Sequence, residues 1–353
     1  MFEITGTIRY QQGGLIGVGE GMNSTVYRAF DPYLNRDIAV KVVSKSKFGN
    51  DFDSYCNEAR AIFSANHPSI VKVEYVCETT DEFHLALPLY SNGSLLSKIR
   101  QHPLGLCDSL KIAQGVLAGL ARIHVSRYLH LDIKPANILF DDDNQPLISD
   151  FGQSRKMSPT GTVNYPPMYK WAMPPEVLTS HVATVESDIF QMGTLLYRTV
   201  NGDPFYKLQK NAIKDDNELQ AKILGGRFPD SRLFLPHVPR RMRTLIRKAL
   251  QADPKDRFHS ATEFAASLGR MRVALDWKTT CLTAGAYRWR VDRPGKSDLE
   301  VELIKNSSDW DVEVWTLEGQ KRRRRNVSNY WRSGLKYRDA MRQLNVVFAD
   351  LDS

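Results

Sequence analysis

One short stretch of the chain holds several side chains that could act together chemically. It reads HLDIKPAN from His130, and DFG follows from Asp150, eighteen residues after Asp132. A carboxylate at Asp132 can orient an attacking hydroxyl and accept its proton. Lys134 can neutralise charge on a phosphoryl group in transfer. The oxygens of Asn137 and Asp150 are hard ligands suited to Mg²⁺. The pattern therefore indicates phosphoryl transfer.

A glycine-rich segment near the N-terminus could bind phosphate. It reads GEGMNS from Gly19, a near match to GxGxxG that has Ser24 at the third glycine position. Residues 25–30 predict a strand, whereas a dinucleotide-binding unit would start a helix here. Gly19 and Gly21 let backbone N–H groups approach a triphosphate closely.

A lysine follows at a spacing that places it beneath this loop. Lys41 ends the run IAVK, fifteen residues after Val26. Its compact ammonium could hold the α- and β-phosphates. Glu58, on a helix predicted over residues 52–65, is the candidate acidic partner. The alternative for Glu58 is a solvated helix carboxylate.

These residues need two kinds of structure to position them. Short β-branched or aromatic segments predict strands at residues 24–30, 38–43, 70–76 and 83–87. After Gly93 the apolar residues recur at helical spacing, in two sets. The sets are Leu110, Ala113, Val116, Leu117, Leu120 and Ile123, then Ile189, Met192, Leu195, Leu196 and Val200. The helical pattern continues to Arg272.

In this order the motifs resemble those of the eukaryotic-type protein kinase superfamily, over about Leu15 to Arg272. The resemblance implies an α+β, bilobal kinase fold, with a β-rich N-lobe (residues 1–90) and a mainly helical C-lobe (91–273). It also implies transfer of the ATP γ-phosphate to serine or threonine of a protein substrate. ATP and Mg²⁺ are the expected cofactors, with Mn²⁺ as an alternative metal. Lysine two residues after Asp132 resembles the serine/threonine kinases rather than the tyrosine kinases.

The resemblance also assigns roles to individual residues. The catalytic set is Asp132 as base with Lys134, Lys41 and Glu58, and the metal ligands are Asn137 and Asp150. Glu176 and Arg257 would form a structural ion pair, and Asp188 would brace the catalytic loop. Leu87 falls at the gatekeeper position before the hinge. The expected nucleotide contacts are Gly19, Gly21, Ser24, Val26, Ala39, Lys41, Leu87, Leu89, Tyr90 and Leu139.

The chain departs from the family pattern at three positions. Leu131 replaces an arginine that commonly pairs with a phosphorylated activation-loop residue, and leucine cannot do this. We therefore predict activity that does not depend on phosphorylation of Thr160 or Thr162. Tyr169 stands where a threonine usually contacts the catalytic lysine, which leaves the choice of substrate residue open. Ser24 in the glycine loop removes some backbone freedom.

Residues 274–353 form a C-terminal extension whose role the sequence leaves open. Alternating apolar and polar residues predict strands at 287–291, 299–304 and 312–317, and a helix is expected around 335–344. Five of the six tryptophans lie here, which favours an ordered α/β or β-rich module. It could bind a partner or the kinase lobes, or be set apart as an independent domain. The basic run Lys321–Arg325 could be a targeting signal, an RNA or lipid contact, or a strand-end charge cluster.

The composition bounds the remaining possibilities. The net charge of +8 is modest, and we do not expect nucleic acid as a partner. The four cysteines form no CxxC pair. The sequence contains no run of 18 apolar residues, which a membrane span would need. A cytoplasmic setting is expected. The alternatives to a protein kinase are an inactive, nucleotide-sensing scaffold on the same fold and a small-molecule kinase on a related fold.

Overall fold

The computed structural model describes residues 8–16, 25–47, 52–165, 170–283, 285–319, 321–324 and 327–352. Within these residues the chain begins with a five-stranded antiparallel sheet, ordered β1-β2-β3-β5-β4. Its strands are β1 (Gln11–Leu15), β2 (Thr25–Asp31), β3 (Arg36–Ser44), β4 (Tyr75–Glu78) and β5 (Glu82–Pro88). Helix α1 (Phe52–Ser64) lies between β3 and β4 in sequence.

The central strand β3 separates an apolar face of this sheet from the face that carries Lys41. Ile38, Val40 and Val42 pack in a small apolar cluster on one face. Side chains alternate across a strand, so Ala39 and Lys41 point to the other face. The strands predicted around residues 25–30, 38–43 and 83–87 are confirmed.

The strand predicted over residues 70–76 is largely wrong. Regular pairing in the sheet begins only at Tyr75. Upstream, the Val71 N–H donates to the Ile148 carbonyl at 3.0 Å, and Ile70 forms an isolated parallel bridge with Ile148. This segment therefore joins the sheet to the second part of the chain.

The second part is mainly helical, with short strand pairs that shape its loops. Its helices are α2 (Leu95–Ile99), α3 (Leu106–Val125), α4 (Pro175–Ser180), α5 (Val185–Asn201), α6 (Asp203–Asn211), α7 (Asp216–Leu224), α8 (Arg240–Ala249) and α9 (Ala261–Gly269). Its strand pairs are β6 (Tyr128–Leu129) with β9 (Arg155–Lys156), β7 (Ile138–Phe140) with β8 (Pro146–Ile148), and β10 (Val163–Asn164) with β11 (Val182–Ala183). The predicted helical periodicities lie on α3 and α5, and of the residues in the two predicted sets all except the half-buried Leu110 are buried. No helix in the described parts of the chain has the length and apolar character needed to cross a bilayer.

The C-terminal extension folds as a β-rich layer covered by one helix. Its described strands form a six-stranded antiparallel sheet, in which both β16 and β17 pair with β15. They are β12 (Lys278–Thr283), β13 (Ala286–Val291), β14 (Asp298–Lys305), β15 (Trp310–Glu318), β16 (Lys321–Arg323) and β17 (Arg332–Leu335), followed by α10 (Tyr337–Leu351). The three predicted strands are confirmed, and the predicted helix starts two residues later and ends seven residues later than expected.

The extension packs on the helical part of the chain, and one buried apolar cluster contains side chains of both. The Asp276 carboxylate accepts a hydrogen bond from the Cys107 N–H at 3.0 Å, in the first turn of α3. The Trp289 indole N–H donates to His237 Nδ1 at 3.0 Å. The sequence left open whether this segment docks or stands apart, and the contacts show that it docks.

The basic run of the extension is partly used inside the fold. Arg322 forms ion pairs with the buried carboxylates of Glu300 and Glu302, at 2.5 and 2.8 Å. The guanidinium of Arg324 lies 3.6 Å from the ring centre of Trp331, a cation–π distance. The described part of the run therefore acts as the charge cluster of a sheet edge. Arg325 lies outside the described residues.

Candidate active site

The register of the N-terminal sheet gathers several of the expected nucleotide contacts on one face. Val26 lies opposite Lys41 in the β2–β3 pair, and Ala39 lies opposite Leu87 in the β3–β5 pair. Leu87 is partly buried, as are Leu139 on β7, Tyr90 and Leu89. Of these four, Leu87, Leu139 and Tyr90 pack against the main core. Gly19, Gly21 and Ser24 lie outside the described residues.

Lys41 is the centre of a buried charge cluster. Its Nζ lies 2.8 and 3.0 Å from the two carboxylate oxygens of Glu58 and 2.7 Å from Oδ1 of Asp150. The side chains of Lys41 and Glu58 retain 11% and 9% exposure. Burial alone would lower the pKa of Lys41, but the two carboxylates outweigh it and raise that pKa. Lys41 is therefore a fixed positive charge that joins α1 to the DFG segment.

Asp150 occupies a special backbone position. Its φ of 59° is in the left-handed region, which residues other than glycine rarely adopt. Such strain persists only where the surroundings enforce it, and it is concentrated at functional sites. The positive charge of Lys41 lowers the pKa of the Asp150 carboxyl to about 2, so the group is ionised at neutral pH.

The catalytic loop is held from below by the start of α5. The Asp188 carboxylate accepts the backbone N–H groups of His130 at 3.0 Å and Leu131 at 2.8 Å. Gln191 donates to the Leu131 carbonyl at 2.9 Å and accepts the Ile133 N–H at 2.9 Å. Leu131 has a φ of 65°, and these contacts on both sides enforce it. Asp188 thus braces the loop as expected.

The loop presents Asp132 with two donors on one carboxylate oxygen. Asn137 Nδ2 lies 2.8 Å from Asp132 Oδ2, and Lys134 Nζ lies 3.0 Å from it. The Asp132 side chain retains 9% exposure. Burial raises the pKa of Asp132 to about 6, and the negative charge of Asp150 adds to this increase. Lys134 and Asn137 oppose it. A carboxylate with this pKa is suited to accept a proton near neutral pH.

Asn137 and Asp150 were expected to bind a metal, and their chemistry fits that role. They follow each other across the β7–β8 hairpin, where the Ser149 N–H donates to the Asn137 carbonyl at 2.9 Å. Both Nδ2 contacts of Asn137 go to Asp132, so its amide oxygen points away from that carboxylate. The Asp150 side chain retains 39% exposure. Amide and carboxylate oxygens are the ligands that Mg²⁺ prefers. Among the described residues no group of three His, Cys, Asp or Glu side chains could hold a metal.

The segment that follows DFG ends in a buried ion pair. Both carboxylate oxygens of Glu176 accept from Arg257, at 2.9 and 2.7 Å. The other three guanidinium contacts of Arg257 go to the carbonyls of Gln251, Glu186 and Ala252. All five donors of this fully buried arginine are therefore engaged. Tyr169 lies outside the described residues.

These groups form one arrangement: a lysine–glutamate pair in the β-rich part, two aspartates and an asparagine in the loops below it, and a glutamate–arginine pair behind. The protein kinase domain family matches residues 10–267, well over half of the chain. The chain belongs to the protein kinase domain family.

The chain is also similar to individual kinases from several bacteria. It is 27% identical to the serine/threonine-protein kinase PrkC of Bacillus subtilis (strain 168), in a match covering 92% of this chain and 49% of that protein. It is 29% identical to the serine/threonine-protein kinase PknK of Mycobacterium tuberculosis, over 71% of this chain and 23% of that protein. The chain is also 27% identical to a probable serine/threonine-protein kinase PknB of Lactococcus lactis, over 70% of this chain and 39% of that protein. The chain thus spans about half or less of the length of these relatives.

Three residues that position the kinase site were not predicted from the sequence. Gln191 lies three residues after Asp188, on the same face of α5, and that helical spacing is a signal that could have identified it. His124 Nε2 lies 2.8 Å from Asp188 Oδ2. Arg127 contacts the segment after DFG through its side chain. Nothing in the local pattern of His124 or Arg127 distinguishes it from an ordinary residue near a helix end.

Proposed function

We propose that this chain transfers the γ-phosphoryl group of ATP to a serine or threonine hydroxyl of a protein substrate. The observation that supports this most directly is the meeting of Lys41, Glu58 and Asp150 within 3.0 Å contacts. It brings the N-terminal sheet and the DFG segment to one point. The parts of the chain proposed to serve this activity are residues 1–90 and 91–273, with 274–353 as an added layer.

In this proposal each site residue has a distinct task. Asp132 orients the substrate hydroxyl and accepts its proton, since its raised pKa leaves a basic carboxylate at neutral pH. Lys134, within 3.0 Å of Asp132, is placed to neutralise charge near the transferred group. Lys41 binds phosphate oxygens, and Glu58 holds its ammonium in position. Asn137 and Asp150 would hold Mg²⁺ or Mn²⁺, which neutralises phosphate charge when bound.

The remaining contacts concern the adenine and the activation segment. Val26, Ala39, Leu87, Leu89, Tyr90 and Leu139 are proposed to enclose the base, with Gly19, Gly21 and Ser24 over the phosphates. Leu131 offers no charge to a phosphorylated residue, which supports activity without phosphorylation of the activation segment. A phosphatase-treated protein that stays inactive until Thr160 or Thr162 is phosphorylated would contradict this part.

The test is incubation of the purified chain with ATP, Mg²⁺ and a peptide library, with products identified by mass spectrometry. Asp132→Asn should reduce the rate of transfer by about 10²–10⁴-fold. Asp142→Asn is the matched control, because Asp142 is exposed in the β7–β8 turn. Nucleotide binding with no transfer by the wild type would instead support a nucleotide-sensing scaffold. Transfer to small molecules but to no peptide would refute the protein substrate.

A further inference from the structure

The backbone of Arg127 is in an unusual conformation for its residue type. Its φ is 66°, in the left-handed region that favours glycine and costs an arginine free energy. The residue lies in the turn between α3 and β6, and its side chain is exposed. Burial of this side chain does not compensate for the cost. The compensation must therefore come from the hydrogen bonds of Arg127.

The Arg127 N–H donates to the His124 carbonyl at the end of α3, at 3.0 Å. Its carbonyl and its side chain instead contact one short segment after DFG. The Arg127 carbonyl accepts the Met157 N–H at 2.8 Å. Its guanidinium donates to the carbonyls of Ser158 at 2.5 Å and Pro159 at 3.1 Å. The adjoining residues pair as β6 and β9, with Tyr128 opposite Lys156. Arg127 therefore binds three successive residues of the activation segment, and every partner is backbone.

The bound segment closes on itself directly afterwards. The Ser158 N–H donates to the Thr162 carbonyl at 2.9 Å, and the Gly161 N–H donates to the Ser158 carbonyl at 3.0 Å. The hydroxyls of Ser158, Thr160 and Thr162 lie within 2.8–3.1 Å of one another. We call residues 157–162 the clamped turn. Its first residue, Met157, is buried in the main core. The rest of the turn is held by contacts of its hydroxyl, amide and carbonyl groups with each other and with Arg127.

The clamped turn leads into a strand pair that joins it to the region before α5. Val163 and Asn164 pair with Ala183 and Val182 in β10–β11, and the Tyr165 N–H donates to the His181 carbonyl at 2.8 Å. Strand β11 directly precedes α5, which also carries Asp188. The position of the clamped turn is thereby linked to the elements that brace the catalytic loop.

We propose that Arg127 is a positioning residue that holds the activation segment in its substrate-accepting arrangement through backbone carbonyls. It would serve in place of a phosphate bound by an arginine at position 131, where this chain has leucine. The inference rests on the proposed kinase function. In this proposal, the contacts of the Arg127 guanidinium order the segment and make its phosphorylation unnecessary.

The informative variant is Arg127→Gly. Glycine adopts a φ of 66° without strain, so this change removes the guanidinium while it preserves the fold. Arg127→Lys restores a cation that could reach one carbonyl. Asn35→Gly is the matched control, since Asn35 has a φ of 48° in the exposed β2–β3 turn. All proteins are treated with phosphatase first.

Two measurements then decide the inference. In Arg127→Gly we expect the KM for a peptide substrate to rise about tenfold, because the two hydrogen bonds of an exposed guanidinium are lost, with the KM for ATP unchanged. Hydrogen exchange at the Met157 and Gly161 amides should accelerate about tenfold or more, with an unchanged melting temperature. Arg127→Lys should recover part of both effects, and Asn35→Gly should match the wild type.

Wild-type exchange rates and an unchanged peptide KM in Arg127→Gly would overturn the inference. If the wild type phosphorylates no peptide, the proposed function fails. The exchange rates still decide whether Arg127 orders the clamped turn, because that measurement needs no activity.

Discussion

His237 provides the sharpest test of how the extension is attached to the kinase domain. It is 1% exposed and lies between α7 and α8. The Trp289 indole can only donate, so Nδ1 of His237 must be unprotonated to accept its hydrogen bond. Nε2 then carries the proton and faces the Thr279 hydroxyl at 3.4 Å. Burial, together with the nearby charge of Arg243, lowers the pKa of His237 to about 3.

This lowered pKa makes stability depend on pH with a definite sign. The unfolded chain binds a proton at His237 near pH 6.5, whereas the folded chain does not until about pH 3. The contribution of His237 to stability is therefore fully present above pH 6.5 and is lost as the pH falls. Each pH unit within the window costs up to about 1.4 kcal/mol. At pH 5 the folded state should have lost about 2 kcal/mol relative to pH 8 from this residue alone.

The assay is urea unfolding at pH 8 and pH 5 for the wild type and His237→Asn. The Asn side-chain oxygen can accept from Trp289 but does not titrate. The stability gap between the two proteins should therefore shrink by about 2 kcal/mol on acidification. Parallel pH profiles for the wild type and His237→Asn would refute the argument that His237 is held neutral in the interface.

Three further predictions concern the site itself. The kcat/KM for peptide should fall below an apparent pKa near 6, because Asp132 must be unprotonated to act as base; a profile that is flat from pH 5 to 8 would argue against it. Lys41→Met should reduce kcat/KM by about 10²–10³-fold, and Glu58→Gln by a smaller factor, since Glu58 acts through Lys41; equal losses in steady-state assays would contradict that order. Arg257→Ala should cost about 3–5 kcal/mol in urea unfolding, because the mostly buried carboxylate of Glu176 loses its cation and keeps the neutral Ser187 hydroxyl as a partner. Arg232→Ala, which removes an exposed pair, should cost less than about 1 kcal/mol.

The parts of the site that the sequence predicted are those carried by short motifs in a fixed order. Asp132 and Asn137 lie five residues apart on one loop, so their contact follows from local geometry. Lys41 and Glu58 lie on different elements, and their pairing was inferred from the need of a buried ammonium for a carboxylate. The structure brings them to 2.8 Å. The need of the lysine for an acidic partner was sufficient to predict this pairing, whereas the contact between Asp132 and Asn137 was not predicted.

The parts that were missed depend on tertiary contacts with no local signal. The strand expected over residues 70–76 has the right composition, but the backbone of Val71 pairs with Ile148, and tertiary pairing overrides propensity. Strands β12, β16 and β17 lack a strong apolar alternation, because they lie at the sides of the extension sheet. Arg127 was missed because its guanidinium binds backbone carbonyls, and a sequence pattern of side chains cannot predict such a contact.

The carboxylate of Asp276, in the extension, caps a helix of the kinase domain. Helix α3 begins after Gly105, whose residue type provides no side-chain cap, and the extension supplies the missing acceptor at the positive end of the helix dipole. The family match stops at residue 267, nine residues before this acceptor. Truncation at the family boundary would therefore remove this acceptor from the start of α3. A tail exchanged from another kinase would need an acceptor at the same point to restore the contact.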